Sequence, residues 1–310
     1  MTNEPSDRNW GAFSENAPWI LERAELAWLP LAPELRRRAR LEVPRLTTPT
    51  RRPPGARVVS VSRHLLGALG PWFARKKRGR YEDPSASRAD LSERLRRAVE
   101  ILGPTYIKLG QIISSGEGLF PSELVDQFKK CRDRVPAESF ATVRLTVEQD
   151  LGARLEDVFE WFDTDALAAA SIAQVHAARL RTGEEVVVKV QRPQVAELVR
   201  KDLRVMSWLA PHLVGRIPIA ALANPPALVE LFAETIVEEL DFRLEAANMV
   251  DVAVMLRELD QDGYIVPRPH PTLVSRRVLV MERVTGFNFD DVAGMKNAGI
   301  EDRKSTRLNS

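Results

Sequence analysis

The sequence predicts an α+β fold, a small antiparallel sheet set among longer helices. Two observations carry this. Between Asp165 and Pro193 the chain reads as short strands, Ala173 to Leu180 and Glu185 to Gln191, joined by the turn Arg181-Thr182-Gly183, with another strand ending near Leu167. On either side, apolar residues recur at three- and four-residue steps, as at Leu91, Leu95, Ala98, Val99 and Leu102, and again from Leu231 through Val250.

The strand Val186-Val187-Val188-Lys189-Val190 sets one lysine in an apolar run, where an ammonium is costly to bury without an anionic partner. Small residues, Ala168, Ala169, Ala170 and Ser171, fill the bend before the hairpin. A small-residue turn that lets backbone N–H groups approach phosphates, followed by a strand-borne lysine, suits a nucleotide site. Singly, each feature is more often a plain turn or a solvated lysine.

Composition bounds the alternatives. The chain has 310 residues, 44% of them hydrophobic, enough for one large core or two modest ones. Its 45 Lys+Arg against 43 Asp+Glu leave a formal net charge of +2, far from the excess of a dedicated nucleic-acid binder. The single cysteine, Cys131, excludes an intrachain disulfide and suits a reducing compartment. His64, His176, His212 and His270 are scattered without metal-ligand spacing, and His176 reads as a packed strand residue. The polar start MTNEPSDRNWG does not read as an export signal, and prolines interrupt the most apolar region, Met206 to Val237. A cytoplasmic location is expected.

Residues 1–57 carry Trp10, Trp19 and Trp28 and read as a short helix near Pro18 to Leu31, then a Pro-rich linker without fixed structure. From Val58 to Phe73 an apolar helix leads into Arg75-Lys76-Lys77-Arg78-Gly79-Arg80. This suits either a core helix with a solvated charge run or a helix lying peripherally on an anionic membrane. Gly103-Pro104 breaks the next helix and restarts it through Lys108, Gly110 and Gln111, and a further helix begins at Phe120-Pro121-Ser122. Asp202 to Leu213 reads as a helix, and Ala227 to Asp260 as one long amphipathic helix with Glu238, Asp241 and Glu245 on one side. Val278 to Val284 reads as a strand leading out to Gly286.

AAASIAQVH followed by VVVKVQRP resembles the Ala-rich loop and lysine strand of the UbiB family, also called AarF or ADCK, atypical protein-kinase-like proteins linked to ubiquinone biosynthesis. Lys108-Leu109-Gly110-Gln111 is similar to the family's KxGQ signature, Glu239-Leu240-Asp241 to its ExD motif, and Glu245-Ala246-Ala247-Asn248 to its EAxN element. The likeness covers roughly Leu91 to Phe289. It implies a protein-kinase-like N-lobe, residues 136–289, preceded by a helical KxGQ extension, residues 58–135, and followed by a truncated start of a C-lobe, 290–310.

By that likeness Lys189, Glu245 and Lys108 are the catalytic group, with Glu245 pairing Lys189. Ala168, Ala169, Ala170, Ser171, Ile172, Ala173 and the hinge residues Met281, Glu282 and Val284 meet the nucleotide, and Gly110, Gln111, Glu239 and Asp241 regulate it. ATP and Mg²⁺ are the implied cofactors. The KxGQ helix is expected to roof the cleft, obstructing protein substrates and favouring a lipid or small molecule. No catalytic loop or metal-binding Asp before Phe-Gly comes after Gly286, so the stretch is expected to be a fragment with little turnover, its Mg²⁺ ligands lying elsewhere. Residues 302–310 match one reading frame of a common sequencing adapter and read as non-native. The competing expectation is a non-catalytic nucleotide-binding or scaffold module. A helical interaction domain remains as a third if Lys189 faces solvent.

Overall fold

The computed structural model describes residues 11–14, 18–19, 22–131, 136–214, 224–261, 263–286 and 292–298. The 302–310 tail and Trp10 lie outside them. The sheet contains β1 (Phe159–Phe162), β2 (Ala168–Ala169), β3 (Ala173–Leu180), β4 (Glu185–Gln191), β5 (Pro269–Val274) and β6 (Val278–Glu282). All its pairings are antiparallel, in the order β1-β3-β4-β6-β5, with β2 also on β3. The turn between β3 and β4 closes through Gly183, whose φ of 104° disfavours a side chain.

Two features differ from the sequence expectation here. The first strand is Phe159–Phe162 and ends before Leu167. Ala168 and Ala169 do not simply fill a bend: they pair back onto Val175 and Gln174, because β3 has an open edge beyond its register with β1.

Alternation along β4 explains how one lysine sits in a valine strand. Val186, Val188 and Val190 are buried on one face with Val143 and Val147 of α6 (Phe140–Leu151). Lys189 therefore projects to the other face, across which α10 (Phe242–Glu258) lies.

The expected 227–260 helix is two, α9 (Pro225–Glu239) and α10. Asp241 takes an extended conformation between them and its side chain accepts from Arg243 N, capping α10. A residue that caps the second helix cannot also continue the face of the first, so Glu238, Asp241 and Glu245 do not share one side.

The largest departure lies at the amino end. In place of a helix over Pro18 to Leu31, two 3₁₀ turns run Arg23–Glu25 and Leu29–Leu31. In place of a linker, α1 runs from Ala32 to Thr47, so residues 1–57 are more than a short-helix region. Ala39, Val43 and Leu46 of α1 are buried against α8 (Val195–Leu213) and α9, while its arginines find partners, Arg36 on Asp251 at 3.0 Å among them. The run of arginines hid a helix whose apolar stripe is spaced at three and four. Upstream, Trp19 and Trp28 donate their indole N–H groups to the carbonyls of Pro269 and His270, covering β5.

Ahead of the sheet come α2 (Arg57–Lys77), α3 (Pro84–Leu102), α4 (Pro104–Ser114) and α5 (Ser122–Phe128); α7 (Leu155–Val158) leads into β1, and α11 (Val292–Asn297) comes after β6. α2 continues through Pro71 into the basic cluster. It buries Val58, Val61, Ala68 and Trp72 and leaves Val59, Leu66 and Phe73 exposed at seven-residue steps on the opposite face. Asp202 of α8 is fully buried and paired with Arg57 at 2.7 Å; Arg57 also donates to the Leu102 carbonyl, so one guanidinium ties α2, α3 and α8 together. No helix among the described residues is long and apolar enough to cross a membrane.

α4 packs so closely on α5 that a β-carbon at Gly110 would meet the Phe128 ring at 2.6 Å. Gly110→Ala is expected to cost about 1–3 kcal/mol by overpacking, read as a lower urea midpoint with an unchanged m-value.

Burial lowers the His270 pKa from 6.5 to about 4, with the Glu184 carboxylate offsetting only part of it. Its Nδ1 accepts from the N–H groups of Leu273 and Thr272, which also resists protonation there. Because the unfolded chain takes up the proton first, this group's contribution is complete above pH 6.5 and lost as pH falls toward 4. Urea titrations across that window are expected to show on the order of 1–3 kcal/mol of loss that His270→Gln abolishes.

Candidate functional site

A cleft of about 710 Å³ opens between the β3–β4 face, α9, α10, α4 and α1. Lys189 reaches across it from β4 and donates to both oxygens of Glu245, at 2.6 and 2.7 Å, with its ammonium 5.0 Å from the Phe242 ring centre. The lysine side chain is 23% exposed and the glutamate 34%, so the pair faces the cleft and is neither sealed nor fully solvated.

From α4, Lys108 enters the same cleft and meets Glu239, at the end of α9, at 2.7 Å. The KxGQ helix is thus tied across the cleft by an ion pair. Gly110 and Gln111 do not line it; Gly110 acts by letting α4 sit against Phe128.

Ala170, Ser171, Ile172 and Ala173 form one wall. None of Ala168 to Ala173 takes a positive φ, so alanine is accommodated where a glycine loop would be freer. The wall is fixed from behind. Arg192, 7% exposed, donates to the Ala170 carbonyl at 2.9 Å, to Glu138 at 2.8 Å and to the Pro136 carbonyl at 2.9 Å, while its own N–H meets the Ile172 carbonyl.

The Gln174 carbonyl oxygen accepts from Glu138 N at 2.7 Å, and its amide meets His176 Nε2 at 2.7 Å. The other ring nitrogen, Nδ1, lies 2.8 Å from the Asp163 carbonyl, to which it donates. Burial lowers the His176 pKa, keeping the ring neutral with its proton on Nδ1. His176 therefore belongs to the support of the loop and does not touch the cleft.

The structure does not bring every expected residue here. Ala168 and Ala169 are drawn into the sheet and do not line the cleft. Met281, Glu282 and Val284 do not line it either. Met281 packs on the core, Val284 is 52% exposed, and buried Glu282 accepts from Arg268 N while its own N–H donates to the Arg268 carbonyl. Asp241 turns away into a second cavity, where it binds Arg243 through both oxygens, at 2.9 and 2.6 Å.

Conversely, Ala39, Arg40 and Val43 of α1 form a wall that sequence reasoning missed, because their segment read as linker. The repeat of Ala32, Leu35, Ala39, Val43 and Leu46 was the available signal. Glu234 of α9 and Asn248 of α10 also line the cleft. Glu234 and Glu238 are one helical turn apart on α9, and Asn248 lies three residues beyond Glu245, so both are explained by helix spacing once the elements are in place.

An antiparallel sheet whose central lysine pairs with a carboxylate on a packed helix, beside a small-residue loop, is a protein-kinase-like N-lobe. The sequence profile of the ABC1 atypical kinase-like domain matches residues 130–308, and the chain belongs to that family, which includes the UbiB proteins. It is 38% identical over 210 residues to a probable protein kinase UbiB of Sodalis glossinidius (strain morsitans), covering 67% of this chain and 38% of that protein. It is 37% identical over 258 residues to one of Yersinia pestis (strain Pestoides F), covering 82% and 43%.

The chain therefore spans less than half the length of these curated relatives. The solved structure of an Rv3197–erythromycin complex from Mycobacterium tuberculosis aligns at 28% identity over 57% of this chain and 44% of that one. Its TM-score of 0.39 is too loose to carry detail. Membership in a kinase-like family implies ATP and Mg²⁺ in general terms, and the relatives' name links the family to ubiquinone biosynthesis.

Arg192→Ala would strand the Glu138 carboxylate and the Ala170 carbonyl. It is expected to destabilise the chain by about 2–4 kcal/mol in urea unfolding, with Arg192→Lys recovering only part because an ammonium lacks the planar fork.

Proposed function

We propose that this chain is the nucleotide-binding amino-terminal part of a UbiB-like atypical kinase or ATPase, serving isoprenoid-lipid and ubiquinone metabolism. The observation that supports this most is the Lys189–Glu245 pair standing free in a 710 Å³ cleft beside Ala170–Ala173. In that arrangement the carboxylate fixes the ammonium where phosphates pass the loop. The cleft volume falls within the range of small-molecule sites.

The lining supports a nucleotide that arrives with a cation. Arg40, Lys108 and Lys189 face Glu234, Glu238, Glu239 and Glu245, three positive charges against four negative. A bare polyphosphate gains little from such a wall. Among the described residues, however, no group of three or more His, Cys, Asp or Glu side chains is arranged to hold a metal ion. Lys189 and Lys108 can meet phosphates, while the described residues offer no Mg²⁺ cage, so no step is assigned to the metal. What this chain supplies is binding and orientation: Lys189 positioned by Glu245, the alanine wall by Arg192, and Lys108 poised to exchange Glu239 for phosphate.

The Lys108–Glu239 pair that ties α4 across the cleft argues against a peptide substrate and for a lipid or small molecule. The exposed Val59, Leu66 and Phe73 of α2, running into Arg75, Lys76 and Lys77, favour a peripheral place at the inner face of a membrane.

Thermal unfolding with and without MgATP tests the reading. ATP is expected to raise the midpoint of the native chain, and Lys189→Ala to weaken apparent affinity at least about tenfold, roughly 1.4 kcal/mol or more. A shift of equal size in both proteins, or in neither, would overturn nucleotide binding at Lys189.

A further inference from the structure

Behind the cleft, four arginines from four separate segments line a second cavity of about 200 Å³: Arg38 of α1, Arg200 of α8, Arg243 of α10 and Arg276 of the β5–β6 turn. Only two carboxylates line it, Glu42 and Asp241. Four cations against two anions leave a surplus of two positive charges around one small space.

The pairing pattern shows where that surplus sits. Arg243 spends Nε and Nη2 on Asp241, and Arg200 spends Nε and Nη2 on Glu42. Arg38 turns its Nε to Glu34, outside the cavity lining, at 2.8 Å. The side chain of Arg276 has no hydrogen bond or ion pair among the described residues, and its backbone carbonyl accepts from Phe242 N at 3.0 Å, which fixes the backbone at the cavity rim. The Nη1 groups of Arg200 and Arg243 likewise have no acceptor among the described residues.

Like charges around one cavity repel one another unless an anion offsets them. Guanidinium forks, weakly hydrated and planar, are the side chains best suited to hold the oxygens of a phosphate group. A carboxylate ligand would use two of the forks; a phosphate offers oxygens to three or four directions and carries a charge close to the surplus.

We propose that this cavity binds the phosphate group of a free phosphate compound or a phospholipid headgroup. It is distinct from the nucleotide cleft: the two share Ala39 of α1, which lines both, but no charged side chain. A phosphate seated between Arg200, Arg243 and Arg276 would join α8, α10 and the β5–β6 turn, while Arg38 brings in α1. The binding does not depend on ATP occupying the Lys189 cleft.

The test uses the whole chain with pyrophosphate, and separately with phosphatidylcholine vesicles with and without phosphatidic acid. Sodium chloride at matched ionic strength is the control. Arg276→Gln removes the guanidinium without a side-chain partner, so its unliganded melting temperature and circular dichroism are expected to match the native chain. Lys189→Ala serves as the parallel variant for the cleft.

Saturable stabilisation by pyrophosphate beyond the chloride control, retained in Lys189→Ala and weakened at least fivefold in Arg276→Gln, is the expected result for a soluble ligand. Sedimentation with phosphatidic-acid vesicles only, weakened in the same variant, assigns the group to a lipid. Stabilisation lost in Lys189→Ala but kept in Arg276→Gln places the anion in the cleft and overturns the proposal. So does the absence of any effect beyond chloride in both the soluble and vesicle arms.

Discussion

Lys189 and Glu245 are 56 positions apart in the chain and 2.6 Å apart in space, and most of the architecture serves to keep them so. The lysine is aimed by the pleat of β4, whose valines are held on the other face by α6. The glutamate is aimed by α10, which begins where it does because Asp241 stops α9 and caps the next helix. An ammonium between an apolar sheet and an apolar helix face is tolerated because the carboxylate meets it and because one side of the pair remains open to the cleft.

The supports of that pair form a graded set. Phe242 lies under the ammonium, next in sequence to the capping Asp241, and its N–H is tied to the Arg276 carbonyl. Arg192 sits one residue past the end of β4, so the strand that aims Lys189 also places the guanidinium that holds the alanine wall. Loop and lysine are in this way one rigid piece. α4 is a separate piece, touching the cleft chiefly through Lys108 and held elsewhere by its fit against Phe128 and by the buried Arg57–Asp202 pair near its start.

Much of this was legible from residues alone. The hairpin, its turn, the helix break at Gly103, the start of α5 and the odd lysine of β4 all come from local rules, since turns, caps and alternation act over a few residues. The pairing of Lys189 with Glu245 came from resemblance and not from spacing, and the geometry agrees with it. Reading failed where charge masked pattern, as in α1, whose arginines concealed a buried stripe that proved to be one wall of the cleft. It failed again at Leu240-Asp241, where helical periodicity carries on through a cap, and at Met281, Glu282 and Val284, whose strand was found but whose distance from the cleft was not foreseeable.

The sequence by itself determined the hairpin and most of the helices, the family and the chemical character of the two lysines and their carboxylates, because these depend on neighbours within a turn or two of chain. Tertiary structure alone decided which of those charges meet. Glu239 and Asp241, two residues apart, serve different cavities only because a helix ends between them, and four arginines spread from position 38 to 276 gather at one place only because four segments pack there. Electrostatic partnership falls off within a few ångströms, and separations on that scale are set by packing between segments that the order of residues leaves open.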